Sequence, residues 1–125
     1  MNNQNPIEIY QAQDGTTQVE VRFENDTVWL SQAQMANIFD TGSDNISLHL
    51  KNIFNEAELD ENLTTEDFSV VRQEGKRQVS RRVKHYNLDA IISVGYRVKS
   101  KSATNFRIWA TTRLKEYLTQ GYTIN

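Results

Sequence analysis

Polar and apolar residues alternate from Thr17 to Phe23. Val19, Val21 and Phe23 fall on one face and Gln18, Glu20 and Arg22 on the other, which predicts a half-buried strand. Shorter strands are predicted at Ile7–Tyr10 and Thr27–Leu30, with turns at Asp14-Gly15 and Glu24-Asn25-Asp26. Residues 1–30 therefore read as an antiparallel meander. From Ser31 the period changes. Ser31 and Gln34 have the spacing of a capping box, and Leu30 and Met35 sit where a hydrophobic staple would close. A helix over about 32–39 turns Met35, Ala36 and Phe39 inward, and Asp40 to Gly42 breaks it. A second helix from about Ser43 buries Ile46, Leu50, Ile53 and Phe54. Its other side shows Asp44, Asn45, Ser47, Leu48, His49, Lys51 and Asn52.

Residues 56–67 are acidic and lack a period. A strand follows at Phe68–Arg72, then a turn at Glu74-Gly75 and a second strand at Arg77–Tyr86. Asn87 is a good N-cap for a third helix with Leu88, Ile91, Ile92 and Gly95 as its inner stripe. Lys99–Ser102 reads as a basic loop. The last helix, about 103–120, has Phe106, Trp109, Ala110, Leu114, Tyr117 and Leu118 in register, with Gly121 ending it. Trp29 is assigned to the core as well. The pattern predicts one α+β unit over residues 1–125: an N-terminal β-meander (1–30), a helix-turn-helix (31–57), a basic β-hairpin (68–86) and a C-terminal helical pair (87–121).

Charge sharpens this picture. The net charge is only −2, but residues 1–71 carry thirteen acidic side chains against Arg22 and Lys51, giving −11, while residues 72–125 carry +9. The basic half is a natural seat for a polyanion, although two such halves could also simply attract each other. The absence of cysteine excludes disulfides and cysteine-ligated zinc. No apolar run approaches the roughly 18 residues of a membrane span, so a cytoplasmic protein with no membrane partner is expected.

Two short helices around a glycine-containing turn, followed by a basic hairpin, give the outline of a winged helix-turn-helix. In that outline Asn45, Ser47 and His49, with Lys51 beside them, are the candidates for a major groove. Lys76, Arg77, Arg81, Arg82 and Lys84 are the candidates for a phosphate strand, though lysine and arginine also protect a solvated edge strand from aggregation. Arg97, Lys99 and Lys101 form a third basic element ahead of the last helix. The two histidines, His49 and His85, have no metal-ligand spacing. The cluster Glu56, Glu58, Asp60 and Glu61 reads as a solvated turn rather than a magnesium site. Neither a catalytic residue nor a cofactor is expected.

Several long motifs carry a resemblance. Thr27–Ala36 is one, and Asn45-Ile46-Ser47 with His49 and Asn52-Ile53-Phe54 is a second. The others are Tyr86–Val98, Phe106–Thr111 and Gly121-Tyr122. From about Gly15 onward the chain resembles the bacterial RhuM family of virulence proteins. The Arg97–Trp109 region, with Ala103, Phe106 and Trp109, is more weakly similar to the DNA-binding N-terminal domain of BRO proteins and phage antirepressors. The sequence departs from the family pattern at Ser43, Asp44 and Leu48, where relatives often carry basic residues or glutamine. It also departs at Ser102-Ala103, where Arg-Gly is common. The resemblance implies the N-terminal, DNA-binding domain of a longer protein. Double-stranded DNA is thus the expected partner, with a second copy of the chain or another protein as the alternative.

Overall fold

Buried Val19, Val21 and Phe23 set the inner face of strand β2 (Gln18–Glu24), and the rest of the fold is arranged around that face. A computed structural model describes residues 6–12, 15 and 17–120. β1 (Ile7–Gln11) pairs with β2, and β2 turns through Asn25 and Asp26, both at positive φ, into β3 (Thr27–Ser31). Left-handed backbone at both central residues is what a tight two-residue hairpin turn needs. Asp14, in the first turn signal, lies outside the described residues.

Ser31 closes β3 and caps α1 (Gln32–Ile38). Its hydroxyl accepts from the Gln34 amide, and the Gln34 side chain accepts from the Ser31 amide, completing the capping box. Phe39 to Gly42 turns the chain into α2 (Ser43–Asn55), which buries Ile46, Leu50 and Ile53. Within the acidic stretch lies a short turn of helix, α3 (Glu61–Thr64), capped by Asp60. β4 (Thr65–Glu74) and β5 (Arg77–Asn87) form the hairpin. Asn87 accepts from the Ala90 amide at the start of α4 (Leu88–Val98), and α5 (Lys101–Gln120) completes the fold.

The fold is α+β. Several details differ from the sequence reading, among them α4, whose buried residues are Ala90, Ile91 and Val94 while Leu88, Ile92 and Gly95 are half-buried. The meander and the hairpin are not separate: they join in one antiparallel sheet, order β1-β2-β3-β5-β4, through Trp29↔Asn87, Leu30↔Tyr86 and Ser31↔His85. Pairing between strands so distant in sequence leaves no local signal. β4 is longer than Phe68–Arg72, because most of its added positions are exposed and polar and show no alternation. The basic loop is only Lys99-Ser100. Ser100 accepts from the Ala103 amide, so the helix begins at Lys101. Leu118 is 51% exposed, lying about 100° round the helix from half-buried Tyr117. Gly121 lies outside the described residues.

The helices cover one face of the sheet. There α5 sets Phe106, Trp109 and Tyr117 against Tyr10 and Phe23, at centroid distances of 5.0 to 6.1 Å. On the opposite face a smaller cluster secures the root of the hairpin. Phe68 meets Trp29 at 5.5 Å and His85 at 5.2 Å, and the Arg22 guanidinium lies 4.5 Å over its ring. No helix among the described residues is long and apolar enough to cross a membrane.

Candidate nucleic-acid interface

Only the last three residues of β5 pair with β3, so most of the β4–β5 hairpin runs beyond the sheet as a two-stranded arm. From Asp67↔Lys84 to Glu74↔Arg77 its eight residue pairs span about 25 Å at roughly 3.4 Å per residue. Gly75, at φ +64°, makes the tight turn at its tip. Residues 68–84 hold six cations against Glu74 alone. Cross-strand partners share a face, so the register sorts the charges. Arg72, Arg77 and Arg81 lie on one face with Phe68, and Arg82 and Lys84 lie on the other, with Lys76 in the turn.

These cations are not equally free. Arg81 is held bidentately by Glu74, at 2.8 and 3.2 Å. Lys84 is paired with Glu61 of α3, which raises its pKa, and its ammonium stands 5.9 Å from the Tyr86 ring. Arg82 donates, among the described residues, only to the Asp67 carbonyl, at 3.3 Å. Among the described residues Arg72, Lys76, Arg77 and Arg82 form no ion pair, and all four are exposed. Arg72 was absent from the candidates of the sequence reading. Only the hairpin register, which sets it opposite Val79 and on the face of Arg77, gives it away.

The third basic element divides. Arg97 is bound to Glu56 at 2.9 Å and Glu58 at 2.8 Å; its hydrogen bond, then one from Ser93, holds the Glu58 carboxyl below its ordinary range. Lys99, in left-handed backbone at φ 59°, and Lys101 are exposed and make no ion pair among the described residues. Four carboxylates of the acidic stretch are thus engaged within the chain: Glu56 and Glu58 by Arg97, Asp60 in capping α3, and Glu61 by Lys84.

α2 packs on α1 and α4, and half-buried Phe54 near its end stacks 6.5 Å from Tyr86 at the hairpin root. Exposed Asp44, Leu48, Lys51 and Asn55 form the centre of its free face. At 100° per residue, Asn45 and His49 are about 40° apart, but Ser47 stands about 160° from His49 on the opposite flank. The three groove candidates therefore do not share a face. Asn45 also donates to Thr41 Oγ1 at 3.0 Å.

Comparisons with curated proteins and with solved structures find no match. The model of the virulence protein RhuM family matches residues 63–125, which is half of the chain and includes the whole hairpin, α4 and α5. On that match the chain belongs to the RhuM family.

Proposed function

We propose that this chain is a DNA-binding domain of a bacterial regulator, in which the β4–β5 arm grips the phosphate backbone of a duplex and no reaction is catalysed. The observation that supports this is the arm itself: it outruns the sheet and carries four exposed cations that form no ion pair among the described residues. An arm that contributes so little to the core is most simply explained by a partner, and phosphates are the partner that arginine and lysine recognise without sequence preference. Because the cations occupy both faces, the arm suits a groove with a phosphate strand on each side better than a flat surface. Lys99 and Lys101 add charge at the far end of α4. Asn45 and His49 are the two groove candidates of α2 that one groove could meet together.

The test is a titration of fluorescent duplex DNA with the wild type and with Arg77→Ala/Arg82→Ala. Removing one cation from each face is expected to weaken binding about tenfold or more at low salt, at roughly 1 kcal/mol or more per charged contact. Equal affinity in the two proteins would remove the arm from the interface.

A second reading has one observation of its own. Leu48 is 54% exposed at the centre of the free face of α2, where a protein partner or a second copy of the chain would bury it. Leu48→Asp would then change the oligomeric state and leave DNA affinity unaltered.

A further inference from the structure

Between α4 and α5 lies a cleft of about 360 Å³, inside the range of small-molecule pockets. Its floor is apolar. Ile91 and Phe106 are buried there, and the helices meet so closely that a Cβ on Gly95 would stand 3.1 Å from that of Ala103. Its rim is cationic. Lys99, Lys101 and Arg107 line it, all exposed, and none forms an ion pair among the described residues. Arg81, Lys84, Arg97 and Arg113 each have a carboxylate partner, whereas these three, like the four uncommitted cations of the arm, are left to an outside anion. Tyr96 stands at the mouth, 74% exposed.

We infer that this cleft binds a small organic anion, with an acyl or aryl body against the accessible side chains of Ile92 and Tyr96, above buried Ile91 and Phe106, and a carboxylate or phosphate head among Lys99, Lys101 and Arg107. An inorganic anion would not need the floor, and a neutral apolar ligand would leave three like charges uncompensated at the rim. The proposal goes beyond DNA binding and does not depend on it.

The experiment follows the amide resonances of isotope-labelled protein during titration with phenylbutyrate, phenyl phosphate and neutral phenylbutanol, with no nucleic acid present. The expected result is saturable shifts confined to α4, α5 and their junction, with the alcohol at least about tenfold weaker than the tighter anion. Whichever anion is the tighter identifies the head group. Lys101→Gln/Arg107→Gln should reduce anion binding to the level of the alcohol. Thr104→Trp, at an exposed position on the cleft wall, should abolish binding of all three while leaving the remaining resonances in place. The proposal is overturned by any of three results: no saturable shift up to millimolar ligand, alcohol binding as tight as the anions, or undiminished anion binding in the double variant.

Discussion

His85 is a buried titratable group whose charge the fold resists. It lies on the sheet face away from the helices, 4% exposed beneath Phe68, and its Nδ1 is 2.8 Å from the Val83 carbonyl. Burial lowers its pKa, the Val83 hydrogen bond works in the opposite direction, and the Arg22 charge lowers it further. The unfolded chain takes up this proton near the ordinary value of about 6.5, whereas the folded chain does not until lower pH. The stabilisation is therefore complete above that value and is lost as pH falls below it. Thermal unfolding of the wild type should show a midpoint that falls between about pH 7 and pH 5, and His85→Gln should flatten that part of the profile. An identical profile in the variant would assign the acid sensitivity to another group. At Asn87 the side chain caps α4, so Asn87→Ala should cost about 1 kcal/mol in denaturant unfolding.

Among the elements, those built from local signals were legible in the sequence. The capping box at Ser31 and Gln34, the Asn87 cap and the inward stripe of α5 through Phe106, Trp109 and Ala110 all depend on residues a turn or two apart. What was not legible depends on distant partners. Nothing in the sequence near Leu30 announces that Tyr86 will lie beside it, and nothing near Lys84 announces Glu61. The candidate site shows the same division: the basic run was plain, but which cations stay uncommitted required the register and the ion pairs. The hairpin root makes its own prediction. Phe68 holds the arm against Trp29, His85 and Arg22, so Phe68→Ala should destabilise the domain by about 2 kcal/mol, less than a fully buried phenylalanine would. Amide exchange should show the arm losing protection before the rest of the sheet.

At the scale of the whole molecule, the division into an acidic and a basic half serves two ends. Part of it is internal: Arg97 with Glu56 and Glu58, Lys84 with Glu61, and Arg113 with Glu8 each join the two halves. Exposed pairs of this kind contribute little to stability individually, but they remove those cations from any outside partner. The remainder is concentrated on the arm and around the α4–α5 junction. If the arm captures DNA by charge, duplex binding must weaken steeply with salt. Four uncommitted arm cations meeting phosphates predict that log K falls against log salt with a slope near −4, at roughly −0.9 per contact. A slope near zero, or no binding at low salt, would contradict it.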